Sequence, residues 1–387
     1  MLKTAIAHSL ELDSKDAITE VLEQCRDQLG DLKPQAGILF TGIDHNHSLI
    51  LNSIDKVYPE IELIGCTTDG EISSVQGFAE DSITLMLLCS DKIFFKAGVA
   101  DGISKDTATN IKKAVDSVKL KLDKEPKLCI TTPSGLTASG DNIVEGLRLS
   151  LGDNFPIFGG NAGDQMRMKC TYQFYNNKVF TDAVPFILIG GPLFFSFGIE
   201  TGKIPIGKKA VVTRSDNNMV YKIGKDNAIE FYKHHLGENI GLVDEAMISD
   251  YPLAVFEEDN KSFYLRAPIF ESGTESLRFL GNVPQGSTIQ ITYATRDQIV
   301  EATKTSVNSS MTGYPGTKPS AALCFSCSAR KFVLGTRVKE EYDAFKKIFP
   351  DLPVAGFYTY GEIGPLGRNK PARFHNETFI SLILGLE

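Results

Sequence analysis

The segment Gly65-Cys-Thr-Thr-Asp-Gly-Glu-Ile72 returns near the end of the chain as Gly356-Phe-Tyr-Thr-Tyr-Gly-Glu-Ile363, with Gly, Thr, Gly, Glu and Ile in register. Such a repeat narrows the possible folds sharply, because each copy is one supersecondary unit that hides its apolar face only against another. Around the first motif lie a buried-looking strand at 36–42 and a helical stretch with Leu49, Ile50, Ile54 and Val57 on one face. Strands at 61–65 and 82–88 complete that copy. The last copy keeps the order, with strands at 321–326, 352–356 and 378–384 and a helix around 338–349. A degenerate middle copy runs from 128–132 through a helix at 143–151 to Pro156-Ile-Phe-Gly-Gly-Asn-Ala-Gly-Asp164. There Asp164 stands where the outer copies have glutamate, and 185–189 is the closing strand.

Between the middle and last copies, residues 198–319 read differently. Short alternating segments at 210–213, 262–265 and 287–292 are separated by turn residues, as in antiparallel sheet. A helix over 226–236 stops at Gly237. The expected fold is mixed α/β: repeated β-α-β-β units forming mixed sheets covered by helices, with a β-rich second region. The division expected is 1–197 and 198–387, the latter split into a β-rich part at 198–319 and a repeat unit at 320–387.

The 387 residues carry a formal charge of −8, which argues against nucleic acid or an anionic membrane as partner. The N-terminus turns polar too early for a secretory signal. Residues 183–199 are uncharged, but Pro185, Pro192 and three glycines favour two buried strands over a membrane helix. Seven scattered cysteines fit a reducing compartment, so a cytoplasmic location is expected.

The stretches Ile64–Ile72, Cys324-Phe-Ser-Cys-Ser-Ala-Arg330, Pro353–Pro365 and Phe374-His-Asn-Glu-Thr378 together resemble the N- and C-terminal domains of the FIST family. The resemblance implies a bacterial sensory module for small ligands. One stand-alone branch of that family binds haem, senses nitric oxide and modulates a partner histidine kinase or cyclic-di-GMP enzyme.

Haem iron needs an axial donor, most often a histidine in an apolar pocket. On the helix at 226–236, Phe231, Tyr232, His235 and Leu236 share a face by spacing, whereas His234 falls on the polar side with Glu230. His235 is therefore the expected iron ligand, with His234, Phe231 and Tyr232 around the ring and Phe194, Phe195 and Phe197 as further walls. His45 and His47 read as a solvated loop, and His375 as a structural residue at a strand end. The pair Cys324 and Cys327 lies in a strand without the partners a zinc or redox site needs, so buried thiols are expected.

The glycine motifs offer a second kind of site. Backbone N–H groups with Thr67, Thr68 or Thr359 would take an anion, and Glu71 or Glu362 an ammonium, which suits an amino acid. Asp69, Asn161, Asp164, Arg330 and Tyr358 complete the candidate ligand contacts. The plainer alternative is that each carboxylate only pins its own turn. Cys66 or Ser326 could serve as nucleophiles. Without a nucleophile elbow, a metalloprotease helix or a P-loop, however, the chain is not expected to be an enzyme.

Overall fold

In the computed structural model, which describes residues 2–122, 124–237, 250–269 and 274–386, the repeat occurs three times and is longer than the sequence signals suggest. The first copy comprises β1 (Leu2–Ser9), α1 (Ser14–Leu29), β2 (Ala36–Thr41), α2 (His47–Val57), β3 (Glu62–Thr67), β4 (Glu71–Ser73), β5 (Gly77–Ala79) and β6 (Ile83–Ser90). The second has β7 (Phe94–Asp101), α3 (Thr107–Lys119), β8 (Pro126–Thr131), α4 (Gly140–Leu151), β9 (Ile157–Gly160), β10 (Gln173–Tyr175), β11 (Lys178–Phe180) and β12 (Ala183–Gly190).

The third copy opens with β13 (Leu193–Glu200) and is then interrupted. The inserted region holds β14 (Ile204–Asp216), β15 (Met219–Ile223), β16 (Asp226–Asn227), α5 (Ala228–Leu236), β17 (Leu253–Phe256), β18 (Phe263–Arg266), β19 (Pro268–Ile269), β20 (Leu277–Phe279) and β21 (Thr288–Tyr293). The repeat then resumes with α6 (Arg296–Thr312), β22 (Ala321–Cys327), α7 (Ser328–Leu334), α8 (Lys339–Ile348), β23 (Val354–Thr359), β24 (Glu362–Pro365), β25 (Ala372–His375) and β26 (Phe379–Leu386). The uncharged stretch at 183–199 forms the successive strands β12 and β13 of neighbouring copies, which lie in different sheets.

Each copy lends its hairpin to a neighbour. The three sheets run β1-β6-β2-β3-β10-β11, β7-β12-β8-β9-β24-β25 and β13-β26-β22-β23-β4-β5. The second copy's hairpin extends the first sheet, the third copy's extends the second, and the first copy's extends the third. The exchange is cyclic, so no sheet is built from one copy alone. In every sheet the two central strands pair in parallel, β2 with β3, β8 with β9 and β22 with β23. Their near-continuous apolar runs follow from burial on both faces. One face joins a core common to all three sheets, including Phe40, Phe158, Phe325 and Phe357. The opposite faces are covered by α1 and α2, by α3 and α4, and by α6 and α8.

One glycine per copy has the same steric duty. A Cβ on Gly65, Gly159 or Gly356 would sit about 2 Å from the carbonyl oxygen of Leu39, Thr131 or Cys324 on the adjacent parallel strand. Only glycine fits so close an approach.

Strand register corrects the reading of the middle copy. Glu71 pairs with Phe357, Glu362 with Gly160, and Gln173 with Cys66. The counterpart of the two glutamates is therefore Gln173, not Asp164. The intervening loop at 164–171 is an insertion peculiar to the second copy, and it moved the apparent match.

Candidate functional site

The carboxyl ends of the three parallel pairs converge at one end of the molecule, where the chain leaves each sheet for its neighbour. The crossing is tied by a closed ring of backbone bonds. Asp69 N–H donates to Tyr358 O (2.9 Å), Tyr360 N–H to Asn161 O (3.2 Å), and Gly163 N–H to Thr67 O (2.9 Å). In α/β sheets, ligands bind outside the carboxyl ends of strands where the chain direction switches. Here three such points meet.

The recurring acids of the repeat, Glu71 and Glu362, do not face that space. Glu71 is fully buried and accepts from Thr68 Oγ1, Ser82 Oγ (2.6 Å) and Ser82 N–H (3.3 Å). Glu362, equally buried, accepts from Thr378 Oγ1 (2.8 Å) and Thr378 N–H (3.0 Å). In the second copy Gln173 accepts from Ala183 N–H (3.3 Å). Each side chain ties the lent hairpin back to the closing strand of its own copy, at Ser82 before β6, Thr378 before β26 and Ala183 of β12, so the turn-pinning alternative describes them and the amino-acid cradle does not. Burial pushes the Glu71 carboxyl up to about 7 and that of Glu362 up to about 8.

Other expected contacts are also spoken for. Thr67 Oγ1 donates to Gly163 O (2.8 Å). Asp69 pairs with Lys331 (3.0 Å). Arg330 is fully buried, with Nη2 on Glu341 (2.7 Å) and Nη1 on Thr201 O (2.7 Å), while Tyr358 OH donates to the same Glu341 (2.5 Å). These form an internal framework rather than a ligand contact. Asp164 accepts from the amides of Met168, Lys169 and Cys170 and from Tyr360 OH (2.5 Å), bracing the 164–171 loop. Burial would raise its carboxyl, but these hydrogen bonds outweigh that and hold it below the usual range.

Asn161 is the exception. It lines an open cavity of about 1100 Å³ between the second copy, the third copy and the inserted region. At its floor lie Asn161, Lys203, Ser328, Tyr360 and Glu377. Lys203 and Glu377 form an ion pair (2.8 Å) buried to 1% exposure on each side chain, and Lys203 Nζ also donates to Asp250 O (2.7 Å). Glu377 holds its carboxylate there from a left-handed backbone (φ 57), an uncommon conformation for glutamate. Burial raises the Glu377 carboxyl, with Lys203 opposing the shift.

Two buried acceptors on this floor have no protein donor: Asn161 Oδ1 and Glu377 Oε1. Strand register puts them at the same end of one sheet, since Gly160 pairs with Glu362 and Glu362 with His375. The sequence reading missed Lys203, Tyr360 and Glu377. The available signal for Glu377 was a carboxylate in the polar interval Asn376-Glu-Thr378, just ahead of the apolar strand Phe379–Leu386.

His235 does not point inward as its helical spacing suggested. It is exposed, with Nδ1 bonded to Phe231 O (2.8 Å) and its ring packed on Phe231 at 4.3 Å between centroids. His234, also exposed, meets Asp226 (3.1 Å). The reason is that α5 turns its Ala228, Ile229, Phe231 and Tyr232 face into the core of the inserted region, and position 235 lies past the edge of that face. Phe195 and Phe197 pack against the core shared by the three sheets, and Phe194 against Tyr314, far in the fold from α5. No histidine lines the large cavity, and no cluster of three metal-binding side chains occurs among the described residues. These residues do not fit haem ligation through His235.

The remaining histidines are interior. His45 and His47, expected in a solvated loop, are buried, the latter with Nε2 on Gly42 O (3.1 Å) and its ring against Tyr172 and Phe174. His375 donates from Nε2 to Gly364 O (2.8 Å) at the end of β25. Cys324 and Cys327 are buried free thiols, raised in pKa by burial. Among the described residues no helix is long and apolar enough to cross a membrane.

An uncharacterised protein of Methanocaldococcus jannaschii is 27% identical over 234 residues, covering 58% of this chain; the chain spans 44% of that relative's length. An uncharacterised protein of Mycobacterium bovis is 20% identical over 369 residues, covering 92% of this chain and 93% of its own. Among solved structures, a cyanuric acid hydrolase from A. caulinodans aligns over 100% of both chains at 6% identity and a TM-score of 0.42. A chorismatase aligns over 99% of this chain and 98% of its own at 6% identity and a TM-score of 0.38. The FIST N domain model matches residues 35–226 and the FIST C domain model residues 228–365, so the chain belongs to the FIST family of signal-transduction sensor proteins.

Proposed function

We propose that the cavity between the inserted region and the second and third repeats is the sensory site. Its ligand is a small metabolite bearing an N–H donor head, such as an amine, an amide or the amino group of an amino acid. The observation that carries this reading is the pair of unpartnered buried acceptors, Asn161 Oδ1 and Glu377 Oε1, on the floor of one large void. A buried acceptor without a donor costs about 1–3 kcal/mol, and a ligand N–H at this point recovers it.

Chemistry at the floor favours binding over turnover. The Cys327 thiol is pushed up by burial, and Ser328 Oγ donates to Thr359 O (3.1 Å) with no histidine lining the cavity to activate it. Occupancy would be read through the inserted region, both of whose connections to the body, at Lys203 and at Tyr293–Thr295, line the cavity. A cytoplasmic histidine kinase or cyclic-di-GMP enzyme is the kind of partner proposed to read that change.

The test is a thermal-shift screen of amines, amides, amino acids and carboxylates against the protein and Asn161→Leu. Donor-headed compounds should raise the melting temperature of the parent protein and leave the variant unmoved, although the variant itself is no less stable. Equal stabilisation of both proteins, or a response confined to carboxylates, would refute the assignment.

A further inference from the structure

The cavity is far larger than its polar floor needs, and four large apolar side chains stand at its mouth beside the exposed Thr295, Arg296 and Asp297. Met166, Met168, Leu280 and Phe332 all line it while remaining 44%, 53%, 41% and 58% exposed. Large apolar side chains converging at one exposed rim are uncommon on a soluble surface and mark a binding surface. Two of the four are methionines, whose unbranched, polarisable side chains adapt to varied apolar shapes.

Their placement is built into the fold. The 164–171 loop carries three non-glycine residues in the left-handed region, Gln165 (φ 55), Met166 (φ 60) and Met168 (φ 52). Such conformations cost on the order of 1 kcal/mol or more each and persist only where the surroundings impose them. Here the Asp164 carboxylate gathers the amides of residues 168–170, while Tyr360 OH accepts from Met166 N–H (2.6 Å). The clamp therefore spends strain on delivering two methionines to the mouth. Charge at the cavity balances, with Lys203, Arg296 and Arg337 facing Asp250, Asp297 and Glu377. Lys203 is paired with Glu377 and Arg337 with Asp297 (2.8 Å), while Arg296 donates from Nε to Val333 O (2.8 Å).

Taking the cavity as the sensory site, we infer that its ligand is an amphiphile: a compact N–H-bearing head on Asn161 and Glu377, and an apolar chain or ring laid over Met166, Met168, Leu280 and Phe332. The volume suits a molecule of drug-like size, for which pockets of roughly 300–1,000 Å³ are typical, better than a free amino acid.

The experiment is calorimetric titration of primary n-alkylamines and the matching alkyl amides from four to ten carbons, all below their micellar range. Each added methylene should tighten binding roughly fourfold until the rim is covered. The surface variant Met166→Ser/Phe332→Ser should fold, as circular dichroism would verify, and reduce that step below about twofold. Asn161→Leu should weaken every member of the series alike. Short members that bind in an Asn161-dependent way with no gain from chain length would overturn the amphiphile and leave the sensory cavity standing. Failure of every member to bind overturns both. A rim that instead mediates self-association, seen by light scattering and abolished by the double serine variant, would also overturn the amphiphile.

Discussion

At the residue scale, the equivalence of Glu71, Glu362 and Gln173 separates what the position requires from what its ionisation adds. All three tie a lent hairpin back to the closing strand of its own copy, and one does so without a carboxyl group. Around Glu71 the hydrogen bonds run in a chain, from Ser73 Oγ to His8 Nδ1 (2.7 Å), from His8 Nε2 to Ser82 Oγ (2.9 Å), and from Ser82 to the carboxylate. His8 is held neutral by burial, with its pKa lowered to about 4. A carboxyl whose pKa rises on folding keeps its proton longer in the folded than in the unfolded chain. Its contribution to stability is therefore full below about 4.5 and is lost as pH rises through about 7. Glu71→Gln should fold and show a flatter stability profile than the parent between those limits, the difference approaching roughly 1.4 kcal/mol per pH unit at its steepest. Parallel profiles in urea unfolding across that window would show that Glu71 titrates normally.

At the scale of elements, α7 is the piece that joins framework to cavity. Its Ser328 and Phe332 line the cavity, whereas Arg330 turns into the body to meet Glu341 of α8, Thr303 of α6 (2.8 Å) and the carbonyls of Ile299 and Thr201. Ser326 Oγ (2.9 Å) and Tyr358 OH complete the carboxylate's shell. Removing one partner from such a pair leaves a buried charge, so Glu341→Gln should cost about 3–5 kcal/mol. The double replacement Arg330→Met/Glu341→Leu should cost less than the sum of the single changes, as chemical unfolding would measure. Additive losses would mean that the two groups do not act as a unit.

Elements were also where the sequence was most legible. Continuous apolar runs such as 36–41 and 379–386 declared the buried strands, and the glycine motif declared the repeat. Positions set by tertiary context were not legible. His235 shares a helical stripe with Phe231, yet the stripe ends before it. Asp164 mimicked a glutamate only because a loop insertion displaced Gln173. Glu377 and Lys203 are 174 positions apart and meet only because the third copy is split by the inserted region.

At the scale of the whole molecule, the cyclic exchange of hairpins ties the three copies to one another, and the inserted region lies against the second and third. It is held on the far side by Arg266, which reaches Asp141 (2.7 Å) and Phe374 O (3.0 Å), and by Asn282 N–H on Asp141 (2.7 Å). The cavity is the space between those contacts and the connections at Lys203 and Tyr293, so a molecule bound there touches both parts at once. This is the physical basis for reading ligand occupancy as a change in how the inserted region sits on the repeats. The most direct measurement is a crystal structure of the protein with the strongest donor-headed compound from the thermal-shift screen. The account predicts that compound in the cavity, with a nitrogen within hydrogen-bonding distance of Asn161 Oδ1 and Glu377 Oε1 and its apolar part against Met166, Met168 and Phe332. A compound bound elsewhere, beside His235 for instance, with the floor at Asn161 and Glu377 untouched, would contradict it.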